Sequence, residues 1–241
     1  MASSNHGPLG KLARPPVELL VCFAVKEEAK FFSPLREVRV ANGAREEVRM
    51  RAFCQVWITG MGRTNAARSI REAIEKLKPE RVITAGFAGG LNPKLKVGDI
   101  LFDEDFDAGL ANQLEDLGAV SAKFYCHKRV AITTQEKLAL WKETGADAVE
   151  MESSVIRTIC KEFRIPSATV RVISDDAHQD LPLDFNALMT SEDQIDYPKL
   201  IWAVLSKPSR IPTLMEFQRQ TIAASRKLGS VLHEVLRAER S

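Results

Sequence analysis

A strand–helix–strand unit between Val149 and Asp175 constrains this chain more than any other segment. Val149-Glu150-Met151-Glu152-Ser153 reads as a short apolar strand that ends in two carboxylates flanking a methionine. Ser154 to Phe163 follows with apolar spacing suited to a helix. Ala168 to Ile173 is a second buried strand, delivering Ser174 and Asp175 at its carboxyl end. Open α/β sheets bind ligands outside the carboxyl ends of their strands, so these acids are expected to converge on one crevice. A carboxylate pair can grip vicinal hydroxyls, and a separate acid can protonate a leaving group. That combination suits cleavage of a ribosyl bond.

The rest of the chain repeats the alternation. Val17 to Ala24 is an apolar strand, and Lys26 to Phe32 a charged helical start. Arg36 to Val40 and Glu47 to Phe53 alternate around a loop containing Asn42-Gly43, a hairpin signal. Gln55 to Thr59 is a strand, Thr64 to Leu77 a helix stopped near Pro79, and Arg81 to Ala85 a strand. Val97 to Phe102 and Arg129 to Thr133 are further strands, with a short helix at Leu110 to Leu117 between them. Tyr197 to Leu205 is a compact apolar helix. A long amphipathic helix begins near Ile211-Pro212, its apolar residues Leu214, Phe217, Leu228, Val231 and Val235 at helical spacing. Strands alternating with helices predict an α/β fold with a mixed, mainly parallel twisted sheet flanked by helices. Residues 1–16 read as an amino-terminal arm and 17–241 as one domain, a length that α/β folds reach undivided.

Composition removes several classes of function. A net charge of +2, with basic residues interspersed among acidic ones, gives no reason to expect nucleic acid. Cys22, Cys54, Cys126 and Cys160 are far apart and read as reduced thiols. Cys126-His127 has no second pair at ligand spacing, so no metal is expected. No apolar run reaches the roughly 18 residues of a membrane span, and a cytoplasmic protein is the default reading.

Two glycine segments follow strands. Gly60-Met61-Gly62 invites a dinucleotide reading, but Asn65 holds the third glycine position and no acid ends the strand Arg81 to Ala85. No cofactor is therefore expected. Gly86-Phe87-Ala88-Gly89-Gly90-Leu91-Asn92-Pro93, followed by Lys96-Val97-Gly98-Asp99-Ile100, is more specific. Together with Ala24-Val25-Lys26-Glu27-Glu28, Val149 to Ser153 and Val170 to Asp176, it resembles the purine nucleoside phosphorylase/uridine phosphorylase superfamily. The likeness is strongest to its methylthioadenosine/S-adenosylhomocysteine nucleosidase branch.

The resemblance implies roles residue by residue. Glu28 matches the carboxylate that activates water, although the residues alone read more simply as a solvated glutamate in a first helical turn. Phe87, Ala88 and Gly89 fall in the turn that lines the sugar and nucleophile pocket. Met151 and Glu152 match the pair that holds ribose, with Glu150 supporting the same turn. Asp175 matches the acid that protonates N7 of a purine, and Ser174 orients it. Arg171 is expected to pair with a nearby carboxylate.

The chain departs from the pattern twice. Phosphorolytic relatives hold phosphate with an arginine before the glycine turn and a serine inside it, where this chain has Thr84 and Phe87. Hydrolysis, with water as co-substrate, is therefore favoured over phosphate. Only about 45 residues separate Asp103 from Val149, fewer than in typical nucleosidases, so base specificity does not carry over. That shortness, with Thr144 to Ser153 and Lys207 to Pro212, looks most like the hopanoid-associated phosphorylase subgroup, assigned to removing adenine from a lipid-linked adenosyl intermediate. The subgroup's name implies phosphorolysis and the pocket residues imply hydrolysis; both stay open at this level. The helix Leu200 to Leu205 could rest on a membrane surface or pack within the protein, and a homo-oligomer is expected.

Overall fold

The computed structural model describes residues 17–33, 54–105, 108–190, 196, 198–199 and 211–238. The amino-terminal arm, the hairpin around Asn42-Gly43 and the apolar helix at 200–205 lie outside the described residues. Strands β1 (Leu19–Phe23), β2 (Cys54–Ile58), β3 (Arg81–Gly90), β4 (Ile100–Glu104), β5 (Val120–Ser121), β6 (Phe124–Cys126), β7 (Ala148–Glu150) and β8 (Ser167–Asp175) form one sheet. Helices α1 (Lys26–Ala29), α2 (Arg63–Leu77), α3 (Ala111–Asp116), α4 (Thr134–Thr144), α5 (Ser153–Glu162) and α6 (Ile211–Ala238) accompany it. The order runs β2-β1-β3-β8-β4-β5, while β7 pairs with the end of β3 and β6 with β7. β1, β2, β3 and β8 are mutually parallel; β3–β7 and β4–β8 are antiparallel. The mixed, mainly parallel sheet expected from the sequence is present, its antiparallel pairs arising from β7 and β4.

Period-two alternation divides the strands between two apolar layers. Leu19, Val21, Phe23, Ile83, Val170 and Val172 pack beneath α3 and α6, against Leu114, Leu228, Leu232 and Val235. Leu20, Cys22 and Val82 face the other way, onto Ile70 and Ile74 of α2 and Ile156 and Ile159 of α5. Each such fully buried aliphatic side chain contributes about 1.5–3 kcal/mol. Two faces covered by helices explain why the strands read as nearly continuous apolar runs.

One expected strand is absent. Arg129 to Thr133 joins no ladder; Asn186 instead accepts from the Val130 N–H and donates to the Val130 carbonyl, each at 2.9 Å. A side-chain amide has taken the hydrogen bonds of Val130 that a partner strand would have supplied, while Ile132 donates to Glu136 and accepts from the Leu181 N–H. Among the described residues no helix is long and apolar enough to cross a membrane.

β3 leaves a notch in the sheet. β1 accompanies it only as far as Thr84, and β7 takes up the same edge at Gly89, while β8 follows the other edge from Val82 to Gly89. Residues 85–88 therefore face the end of β1 without a strand partner on that side.

Candidate active site

Glu28 fills one side of the notch. β1 gives way to the single turn α1, which turns Glu28 back on its own start. Its Oε2 accepts the N–H groups of Ala24 at 2.9 Å and Val25 at 3.2 Å, and its Oε1 accepts the N–H of Phe87 at 2.8 Å. The side chain is buried rather than solvated. Burial raises its carboxyl above the ordinary value, against the pull of Arg171 and the three N–H donors.

The acids around Met151 divide into two kinds. Glu150 ends β7, and its oxygens accept the N–H groups of Glu152 and Ser153 and the Ser153 hydroxyl, at 2.7–2.9 Å. The Arg171 guanidinium adds a contact at 3.0 Å and also donates to Thr84 Oγ1 at 3.1 Å. Burial pushes the Glu150 carboxyl up, but Arg171 and the N–H donors outweigh it and hold the group below its usual value. An acid satisfying the first amides of α5 also complements that helix's dipole. Glu150 thus braces the turn that carries Met151 and Glu152, and Arg171 has found the carboxylate anticipated for it.

Glu152 Oε1 accepts the Gly62 N–H at 2.8 Å. Burial pushes its carboxyl up to about 8; Glu150 and Glu28 add repulsion, while Arg171 and the Gly62 amide oppose it. The glycine turn Gly60-Met61-Gly62, read from the sequence as tight packing, supplies this amide and brings Met61 into the cavity.

Ser174 and Asp175 occupy a β-bulge. Ala88 pairs with Ile173 and Gly89 with Asp175, leaving Ser174 as the extra residue. Bulges re-aim side chains beside functional sites, and here consecutive residues both line the cavity instead of alternating across the sheet. Gly89 permits the arrangement, since a Cβ there would lie 3.2 Å from Asp175 Oδ2. Ser174 Oγ donates to Asp175 Oδ1 at 2.6 Å, and Lys137 Nζ meets Oδ2 at 2.7 Å. Lys137 comes from α4, which the sequence reading missed. Thr133, which caps that helix by accepting the Glu136 N–H at 3.1 Å, was the available signal for it. Nothing in the sequence marks the lysine as buried.

Glu28, Phe87, Ala88, Gly89, Glu150, Met151, Glu152, Ser174 and Asp175 line a single cavity, joined by Arg129, Val130, Ala131 and Leu181, which had not been anticipated. Four of these residues are carboxylic acids. The one cation among the described lining residues, Arg129, is largely exposed and paired with Glu136 at 2.5 Å. Thr84 lies in the strand interior, buried against Arg171. No cluster of metal-ligating side chains occurs among the described residues.

A family model described as the phosphorylase superfamily matches residues 19–116 and 101–206. A 5′-methylthioadenosine/S-adenosylhomocysteine nucleosidase of Staphylococcus aureus (strain MRSA252) is 29% identical over 166 residues, covering 54% of this chain and 72% of the relative. The enzyme of that name from Glaesserella parasuis is 29% identical over 164 residues, covering 54% and 71%. Among solved structures, futalosine hydrolase of Helicobacter pylori superposes with a TM-score of 0.63 at 16% identity, covering 92% of this chain and 98% of that one. The Neisseria meningitidis methylthioadenosine/S-adenosylhomocysteine nucleosidase, in complex with methylthio-immucillin-A, gives 0.61 at 18% identity, covering 92% and 99%.

Proposed function

Because the chain belongs to the phosphorylase superfamily, we propose that it hydrolyses the N-glycosidic bond of an adenosine-type nucleoside and releases the purine. The observation that carries this reading is that each cation in or beside the cavity, among the described residues, already has a partner: Arg129 is largely exposed and paired with Glu136, Arg171 is buried against Glu150 and Thr84, and Lys137 is buried against Asp175. A phosphate dianion would find no uncommitted cation there, whereas the carboxyl oxygens suit a sugar and a water. The names of the relatives, nucleosidases and a futalosine hydrolase, agree with water as the nucleophile.

In this mechanism Asp175 delivers a proton to the leaving purine, oriented by Ser174. Met151 packs on the sugar and Glu152 accepts hydrogen bonds from its hydroxyls, bonds that strengthen as the ring becomes cationic. Glu28, held by three amides, directs water at the anomeric carbon from the opposite face. Burial raises the Glu28 carboxyl, which makes its carboxylate a stronger base than a solvated one. Phe87, Ala88 and Gly89 wall the sugar subsite.

The finer proposal concerns the 5′-substituent. The span between Asp103 and Val149 is short, and the cavity wall includes the apolar Val130, Ala131 and Leu181, which favours bulky apolar groups, including a lipid chain. Base release from adenosine, methylthioadenosine, S-adenosylhomocysteine and a lipid-linked adenosine, each with and without phosphate, tests both statements. Free sugar is the expected product in every case. A strict phosphate requirement would falsify hydrolysis. Cleavage of adenosine as fast as of every 5′-substituted analogue would remove the case for a bulky group.

A further inference from the structure

Behind Asp175, on the side away from the cavity, lies a cation that the mechanism above leaves unused. Lys137 has no solvent exposure. Its Nζ meets three oxygens: Asp175 Oδ2 at 2.7 Å, the Asp176 carbonyl at 2.7 Å and the Gln179 carbonyl at 2.8 Å. An ammonium has three N–H donors and no acceptor, so these three oxygens satisfy it fully. The same geometry suits the neutral pair equally well. An amine would keep two N–H bonds to the carbonyls and turn its lone pair toward Asp175, whose Oδ2 would then carry the proton.

We propose that Lys137 is the positioning residue behind Asp175 and the holder of the proton that Asp175 passes to the leaving base. This rests on the reading of Asp175 as the leaving-group acid. As the glycosidic bond lengthens, one proton passes from Lys137 Nζ to Asp175 Oδ2 and from that carboxyl to the base nitrogen. The pair goes from ammonium and carboxylate to amine and carboxylate, the amine keeping its two carbonyl acceptors. Solvent returns the proton once the purine has left. The other charged groups near Lys137 include Asp176, whose carboxylate accepts the His178 N–H at 2.9 Å, Asp180, in the loop after β8, and on α4 itself Glu136, paired with Arg129. Asp180 is committed to the Thr134 N–H at 2.6 Å, so Asp175 is the carboxylate in direct contact. Lys137 also fixes the stretch from Asp176 to Gln179 through its carbonyls, which is why its removal needs a control for folding.

The experiment compares Lys137→Gln, Lys137→Arg and Asp175→Asn on adenosine and on 4-nitrophenyl riboside, whose phenolate leaves without a proton. Gln keeps two N–H donors for the carbonyls, and Arg keeps the charge but does not give up a proton in proteins. With adenosine, kcat is expected to fall by at least about 30-fold in both Lys137 variants, within the range for proton transfer, while KM stays within about 3-fold. With the nitrophenyl riboside both should turn over near the wild-type rate. Lys137→Gln combined with Asp175→Asn should be no slower than Asp175→Asn alone, since the two residues act as one unit. A Lys137→Arg enzyme with wild-type kcat would reduce the role to charge and overturn the relay. Equal losses on both substrates in Lys137→Gln would mean a structural role only. If Asp175→Asn itself slows both substrates equally, the acid has been assigned wrongly, a failure distinct from that of Lys137.

Discussion

The N–H of Phe87 donates to Glu28 Oε1 at 2.8 Å, joining the single turn after β1 to the glycine segment of β3 across the notch in the sheet. Two segments nearly 60 residues apart thereby share one carboxylate, whose second oxygen is held by Ala24 and Val25. The side chain is fixed before any ligand arrives, which removes the cost of ordering it during reaction.

Gly86→Ala should therefore damage activity more than stability. A Cβ at this position would lie 2.5 Å from Glu28 Oε1. The carboxylate is the end of a flexible side chain, but moving it surrenders amide bonds worth roughly 1 kcal/mol each. Turnover is expected to fall by about tenfold or more, with a melting temperature lowered by only a few degrees. Unchanged turnover in an otherwise intact variant would show that the position of Glu28 is immaterial.

Asp175→Asn keeps the shape of the side chain and removes the proton. Turnover of a nucleoside should drop by roughly 100-fold or more, the scale of a general acid, while a ligand binds with little change. Steady-state kinetics and calorimetric titration with a non-hydrolysable analogue separate the two effects.

Glu152→Gln should stabilise the protein while reducing its activity. The folded carboxyl has been raised from 4.5 to about 8. Below pH ~4.5 both folded and unfolded forms hold the proton, and stability is unaffected. Between ~4.5 and ~8 the unfolded chain releases it and the folded one retains it, so stability falls as pH rises. Above ~8 the full cost is expressed, on the order of a few kcal/mol at about 1.4 kcal/mol per pH unit. Glutamine accepts the Gly62 amide without that cost. The variant's advantage in melting temperature should be small at pH 5 and large at pH 8.5; an advantage that shrinks with pH would contradict the assignment.

Arg171→Met should be the most destabilising change near the site. The guanidinium is buried against Glu150 at 3.0 Å and also balances Glu28 and Glu152. Removing one partner of a buried pair costs about 3–5 kcal/mol. Glu150→Gln should cost less, because the arginine then keeps Thr84 as an acceptor and Glu28 as a nearby acid. Denaturant unfolding of the two variants gives the ordering directly.

What could be read from the chain was whatever is encoded locally. The strand–helix–strand unit from Ala148 to Asp175 is a run of buried apolar positions broken by acids, and its elements fall within a residue or two of expectation. Glu152 and Asp175 stood out because each ends or follows a strand, whereas Glu28, from the residues alone, read as a solvated glutamate and only the family resemblance marked it. Lys137 did not stand out, since a lysine among Glu136, Leu138 and Lys142 carries no mark of being buried. Its burial follows from Asp175 and two carbonyls, all about 40 residues later. Arg129 to Thr133 had the composition of a strand but no partner, and only the fold reveals that Asn186 substitutes for one. The double exposure of Ser174 and Asp175 also depends on register with β3, which strand periodicity does not carry.

The hydroxyl of Ser225, midway along α6, donates to the carbonyls of Glu27 and Glu28 at 3.1 and 3.2 Å. The helix that seats the first of the three acids is thus the last described element to be synthesised. A nascent chain still on the ribosome would have exposed Glu28, Glu152 and Asp175 long before α6 emerged, yet α1 would lack its backing. A chain cut before this helix would keep all three acids yet leave the turn that carries Glu28 without the hydroxyl that holds its carbonyls.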